Sequence, residues 1–190
     1  LSELWRQKQL EYAWTHSLMG RYRDFWQLTE AALDHALAVF DAHDDELRRA
    51  LLDAYRSLDA YPDAAGVLAG YRRLGLRVAV FSNAPRPMLQ AALDAAGLGG
   101  LVDAAYSVDA LRVFKPDARV YAGAAQALGV APQAIAFHSS NAWDAAGAAS
   151  CGWRSLWINR SSRPREYPDV PVETVADLGQ ALERVAAQVR

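Results

Sequence analysis

The chain has 190 residues, enough for one domain or for a core with a small appended one. Hydrophobic residues are 52% and charged residues 22%, which describes a soluble globular composition rather than a disordered one. The formal net charge of −2 leaves no basic footprint for nucleic acid, no apolar run approaches the roughly 18 residues of a membrane span, and the single Cys151 excludes an internal disulfide and fits a reducing, cytoplasmic compartment.

Residues 2–19 are amphipathic at helical spacing, with Leu4, Trp5 and Tyr12 along one line and Leu10, Trp14 and Leu18 along another. Phe25, Leu28, Ala32, Leu33, Ala36, Leu37 and Phe40 make a second helical stripe, which Thr29 is placed to cap. Asp44 or Asp45 opens a third helix carrying Leu47, Leu51, Ala54, Tyr55 and Leu58, so residues 1–62 read as an all-helical unit.

At Tyr61-Pro62-Asp63 the pattern changes. A helix from Pro62 to Leu74, stopped by Gly75, leads into the apolar run Leu76 to Phe81, which reads as a strand. Ser82-Asn83-Ala84-Pro85 breaks it, and Pro87 to Ala96 is helical until Gly97. A short strand near Ala104–Tyr106, a helix over 118–128 with Gly129 as its stop, and a strand over 134–137 follow. A helix over 143–150, a strand from Arg154 to Ile158 and a final helix from Asp177 to Val189 complete the chain. Strands that alternate with helices and are apolar throughout predict an α/β fold with a parallel sheet covered on both faces over residues 63–190. Ser161-Ser162-Arg163-Pro164 reads as an exposed loop.

The densest polar stretch is His138-Ser139-Ser140-Asn141-Ala142-Trp143-Asp144, at the C-terminal end of one predicted strand, where open α/β sheets bind ligands. Asn141 or Asp144 could simply cap the following helix, but a cap accounts for one residue of the run. Two further polar clusters, Ser82-Asn83 and Lys115 before Pro116-Asp117, also stand at strand ends. The predicted topology brings all three to one rim.

These clusters resemble the haloacid dehalogenase superfamily. The runs Ser139 to Asp144, Phe114 to Tyr121, Trp157-Ile158-Asn159-Arg160 and Leu4 to Tyr12 resemble the type II (S)-2-haloacid dehalogenases more closely, and the likeness runs from about residue 3 to residue 182. It implies a Rossmann-like core over 63–190 and a helical cap over 1–62, with a substrate that is a small 2-haloalkanoic acid. It implies that Ser82 and Asn83 hold the substrate carboxylate and the nucleophile, and that Lys115 supplies charge beside that nucleophile with Tyr121 in support. Ser139, Asn141 and Asp144 would position the nucleophile and the hydrolytic water, and Arg6 would take the departing halide. Gln7, Leu10, Phe25 and Trp143 would line the pocket. An Asp carboxylate displaces halide from C2 with inversion, and water then hydrolyses the resulting ester at the Asp carbonyl carbon, releasing the 2-hydroxy acid. No cofactor or metal is implied, and such enzymes are commonly homodimers.

The residue types suit that chemistry independently. A carboxylate nucleophile benefits from a fixed cation in apolar surroundings, and a departing halide is stabilised by a guanidinium that is always charged.

Three positions depart from the family pattern. The family's first strand ends in Asp-x-x-x-Thr, and no aspartate here has a threonine four residues on. Asp41 lies at the end of a helical stripe and is not read as the nucleophile. The sequence therefore reads as lacking an upstream strand, central to the sheet, that would carry the nucleophile; without it these residues are expected not to turn over substrate. His138 replaces an expected valine, and Ala84 stands where glycine is more usual in the turn after Ser82. Cys151 reads as a small buried residue, and His16, His35 and His43 show no ligand spacing. The rival readings are a phosphatase of the same superfamily and a non-catalytic interaction domain. A phosphatase needs a divalent cation held by paired acids, whereas the loop here offers Asp144 alone.

Overall fold

Local signals in the sequence account for most helix ends. The structure, a computed structural model, describes residues 1–189; Arg190, the last residue of the predicted core, lies outside them. The described chain contains helices α1 (Ser2–Leu18), α2 (Phe25–Val39), α3 (Asp45–Arg56), α4 (Ala64–Arg73), α5 (Arg86–Ala95), α6 (Ala118–Leu128), α7 (Ala142–Ser150) and α8 (Leu178–Ala186). Its strands are β1 (Ala79–Ser82), β2 (Ala104–Ser107), β3 (Ala136–Ser139), β4 (Arg154–Ile158) and β5 (Val172–Val175). Asp44, Asp117 and Asp177 each accept a backbone N–H at a helix start, and Gly129 ends α6 at φ 66°, in the left-handed region that glycine tolerates. No described helix is long and apolar enough to cross a membrane.

The chain divides into two units, the first comprising Leu1–Asp59, Phe81–Gly99 and Ser107–Phe114. In it α1 packs on α2 around Trp5, Ala32, Leu33, Ala36, Leu37 and Leu52. Ala32 and Ala36 have no exposed surface, and their small side chains let the two helices approach closely. The cap of α2 is Asp24, whose carboxylate accepts from Gln27 N, and not Thr29 as expected. Thr29 lies fully buried in the second turn and donates its hydroxyl to Phe25 O, so its polar group serves the interior instead of the helix end.

The second unit comprises Ala60–Val80, Gly100–Tyr106 and the chain from Lys115 onward. It holds a parallel sheet in the order β3-β4-β5, with Ala136 opposite Arg154 and Ser155 opposite Val172; β1 pairs with β2 in a separate two-stranded sheet. α7 makes the crossover from β3 to β4 that parallel pairing requires. The central strand β4 is buried from Ser155 to Ile158, and its Leu156-Trp157-Ile158 reads as a short apolar run. The α/β class and the parallel pairing follow the sequence expectation.

Three details differ from it. β1 spans Ala79–Ser82, so it starts three residues later than the expected Leu76 and takes in Ser82, which was expected to break it. Pro132–Ala134 forms a 3-10 turn, so β3 begins at Ala136 and runs two residues further than expected, carrying His138 and Ser139 inside the strand. β5 was not anticipated: its Val172-Glu173-Thr174-Val175 is exposed at the two central positions and lies against β4 through parallel pairing alone. The clamp at the start of α4 was likewise invisible. Arg160 Nη2 donates to both Asp63 carboxylate oxygens at 2.8 Å, its guanidinium covers the Tyr61 ring at 4.1 Å, and Leu178 N donates to Asp63 Oδ2.

Candidate active site

The second unit gathers four of the expected residues around one carboxylate. Asp144 sits in the first turn of α7, where the helix dipole favours negative charge. Lys115 Nζ donates to Asp144 Oδ2 at 3.1 Å, Ser139 Oγ donates to the same oxygen at 3.0 Å, and Tyr121 OH donates to Oδ1 at 2.8 Å. All four side chains are buried, Tyr121 completely and Lys115 and Asp144 to 5% exposure. Lys115 also stands 5.0 Å from the centroid of the Phe137 ring.

Three separate elements supply these groups. Lys115 precedes Pro116 and the capped start of α6, Tyr121 lies one turn into α6, and Ser139 ends β3. The Ser139 hydroxyl also accepts from Asn141 N at 3.2 Å, which folds the chain back toward α7. Asn141 is the N-cap residue of α7, yet its side chain makes no capping bond; Asp144 does not cap either. The bland reading of both residues as caps is set aside by this geometry.

Electrostatics reinforce the arrangement. Burial pushes the Lys115 ammonium below the ordinary lysine range, and the adjacent Asp144 carboxylate opposes that shift. Burial and the same carboxylate push the Tyr121 hydroxyl well above the usual tyrosine range, so it remains a donor at any physiological pH. The result is a buried cation held at a fixed point by one carboxylate. Such a charge in a water-poor site acts strongly on a second anion brought next to it. Both Asp144 oxygens already accept hydrogen bonds. Among the described residues no group of three or more His, Cys, Asp or Glu side chains could hold a metal ion.

The glycine at 147 matters here and was not singled out from the sequence. A Cβ at that position would lie 2.6 Å from the Tyr121 hydroxyl and 2.9 Å from Pro116 Cβ. Only a residue without a side chain lets Tyr121 reach Asp144 across α7. His138 is also explained. It alternates with Phe137 and Ser139 along β3, and its Nε2 lies 2.9 Å from the Tyr71 hydroxyl on α4. Burial lowers its pKa to about 4, so it is neutral at physiological pH. Trp143 is half-buried in α7. Cys151 is half-buried where α7 ends.

The remaining expected residues belong to the first unit. Arg6 and Gln7 are exposed on α1, Leu10 is half-buried, and Phe25 is buried with its ring 5.8 Å from that of Phe114. Ser82 Oγ accepts from Ala84 N at 3.0 Å, and Ser107 Oγ donates to Ala84 O at 2.6 Å, while Asn83 is buried. Ala84 is not among the residues with positive φ, so the turn after Ser82 has no need of glycine. Asp41 is exposed beyond α2 and has a positive φ of 50°.

Comparison with known proteins places the chain in a family. Residues 2–152 match the haloacid dehalogenase-like hydrolase family. The chain is 46% identical over 190 residues to (S)-2-haloacid dehalogenase 1 of Pseudomonas sp. (strain CBS-3), covering 97% of this chain and 84% of that protein. It is similar to the crystal structure of a dehalogenase with an intermediate complex, with a TM-score of 0.94 and 45% identity over 96% of this chain and 82% of the other. It is also similar to the L-2-haloacid dehalogenase from Xanthobacter autotrophicus with chloropropionic acid covalently bound, with a TM-score of 0.88 and 36% identity over 97% and 85%. With its buried lysine, tyrosine and serine converging on Asp144, this chain belongs to the haloacid dehalogenase-like hydrolases, in the family of the (S)-2-haloacid dehalogenases.

Proposed function

We propose that the protein hydrolyses (S)-2-haloalkanoic acids to (R)-2-hydroxy acids through an aspartyl ester. The buried cluster of Lys115, Tyr121, Ser139 and Asp144 is the observation that carries this reading. In the first step a carboxylate oxygen forms a bond to C2 as the carbon–halogen bond breaks, and the halide leaves with the electron pair. Attack opposite the halide inverts C2. In the second step water adds at the ester carbonyl carbon, and the acyl–oxygen bond breaks to return the carboxylate and release the alcohol.

Lys115 keeps the attacking carboxylate ionised and oriented, and Asp144 balances its charge while no substrate is bound. Ser139 and Asn141 position that carboxylate and the water, and Ser82 and Asn83 hold the carboxylate of the substrate. Arg6 stabilises the departing halide, a role suited to a group that never loses its charge. Gln7, Leu10, Phe25 and Trp143 surround the alkyl group. The nucleophilic aspartate of the Asp-x-x-x-Thr motif has no counterpart within residues 1–190. The residues here are the partners such a carboxylate requires.

The reaction proceeds without a divalent cation. A haloacid losing halide carries a single negative charge, and the one acid of the cluster is already held by three donors. A cytoplasmic setting is supported by the lone, unpaired Cys151. The test is to incubate the protein expressed from its whole reading frame with each enantiomer of 2-chloropropionate, with and without EDTA. Chloride release from the (S) form alone, yielding (R)-lactate and insensitive to EDTA, is the expected result. Release of inorganic phosphate from phosphomonoesters that EDTA abolishes and Mg²⁺ restores, with no chloride release, would replace this reading by a phosphatase.

A further inference from the structure

The buried stripe of α1 reads Trp5, Gln9, Ala13, and the middle residue is out of place. Gln9 is 1% exposed in a helix–helix core where a leucine would fill the space without any polar group to satisfy. Its carboxamide is engaged at both ends. Nε2 donates to Thr29 Oγ1 at 2.6 Å and to Tyr55 OH at 2.8 Å, and Oε1 accepts from Arg6 Nη1 at 2.6 Å.

The direction of each bond is determined by chemistry. Thr29 gives its own proton to Phe25 O at 2.7 Å, so its oxygen is left to accept from Gln9. A flipped carboxamide would set its NH2 against the guanidinium, two donors face to face. The anchor itself is rigid, since Trp5 Nε1 donates to Thr29 O at 2.9 Å within the α1–α2 core. A buried network of this kind has one satisfied arrangement. The exposed Arg6 is tied to it at i, i+3 on the same helix face.

We infer that Gln9 is a positioning residue: its buried carboxamide, anchored by Thr29 on α2 and Tyr55 on α3, fixes the Arg6 guanidinium in the direction from which it meets the departing halide. This rests on the role given to Arg6 above. An arginine side chain in water samples many rotamers, and charge stabilisation of a leaving group is strongest when the donor is already in place.

The experiment uses the protein expressed from its whole reading frame and compares kcat/KM for (S)-2-bromopropionate and (S)-2-chloropropionate. Halide loss is the first irreversible step, so kcat/KM reports it even where ester hydrolysis limits turnover. Chloride is the poorer leaving group and needs more help. Gln9→Met keeps the volume and removes the acceptor; it is expected to lower kcat/KM for the chloro acid about tenfold and to raise the bromo-to-chloro ratio several-fold. Arg6→Ala should raise the same ratio, and Gln9→Met should change it no further in the Arg6→Ala background.

Loss of folding alone would depress both substrates together and leave the ratio alone. An unchanged ratio in Arg6→Ala overturns the halide role of Arg6. A raised ratio in Arg6→Ala with none in Gln9→Met overturns the role of Gln9. Independently of turnover, ¹⁵N NMR of the Arg6 guanidinium should show slowly rotating Nη groups in the parent protein and in Gln9→Glu, which retains an oxygen facing Nη1. Averaged signals are expected in Gln9→Met, and restrained signals there would refute the inference even in a protein that releases no halide.

Discussion

Replacing Gly147 with alanine tests whether the Tyr121–Asp144 bond depends on a missing side chain. On propensity alone Gly147→Ala should stabilise α7 by about 1 kcal/mol, because glycine is the poorest helix former after proline. The structure predicts the opposite sign. The new methyl would meet the Tyr121 hydroxyl at 2.6 Å and Pro116 Cβ at 2.9 Å, and Tyr121 is fully buried with no room to retreat. Its ring is wedged edge-on against Phe137 and Trp153, at centroid distances of 6.5 and 5.5 Å. Overpacking costs about 1–3 kcal/mol, and losing a hydrogen bond to an ionised carboxylate costs about 1.5–3 kcal/mol. Less the helix gain, the net loss is about 1.5–5 kcal/mol. Urea denaturation followed by circular dichroism measures it as a lower midpoint at unchanged slope. Adding Tyr121→Phe removes the hydroxyl that clashes, so the double variant should lose less than the sum of the single losses by about 1 kcal/mol or more. A Gly147→Ala protein as stable as its parent would refute the close-approach argument.

Other outcomes follow from the same structure. His138, held near pKa 4 by burial against an ordinary value of 6.5, binds fewer protons folded than unfolded, so its contribution is complete above pH 6.5 and is lost as pH falls toward 4. Stability should drop by about 2 kcal/mol between pH 7 and pH 5, and His138→Val should flatten that slope; an equal slope in both proteins would remove His138 as its source. Arg160→Ala, which removes the two bonds Arg160 makes to Asp63 and uncovers Tyr61, should lower stability by about 1–2 kcal/mol in thermal melts. Burial alone would raise the Asp63 pKa, but Arg160 and the Leu178 N–H hold it below the ordinary range, so NMR titration of the variant should show it rising. Lys115→Met leaves the buried Asp144 carboxylate without its cation and should cost about 3–5 kcal/mol. Lys115→Met with Asp144→Asn should recover most of that stability by denaturant titration while chloride release stays abolished.

Helix starts at Asp44, Asp117 and Asp177 and the stop at Gly129 were legible because a cap acts within three or four residues of its helix. The strand Arg154–Ile158 was legible through its apolar stretch Leu156-Trp157-Ile158, which burial on both faces favours. Where polarity stood in for exposure, the reading slipped. His138 and Ser139 look like a turn and are strand, since Tyr71 and Asp144 satisfy their polar atoms inside the protein. Thr29 looks like a cap and is core for the same reason, with Gln9 and Phe25 as its partners. β5 gives little local sign because Glu173 and Thr174 face water and its pairing with β4 lies in the register alone.

The amino-acid sequence determined the residue types of the site and their places on strand ends and helix starts, because those depend on contacts between near neighbours in the chain. Which of them meet was decided by tertiary structure. Lys115 finds Asp144 across 29 residues, and Gln9 finds Tyr55 across 46. A hydrogen bond takes its energy from geometry in space, and spacing along the chain carries no record of which buried donor will face which buried acceptor.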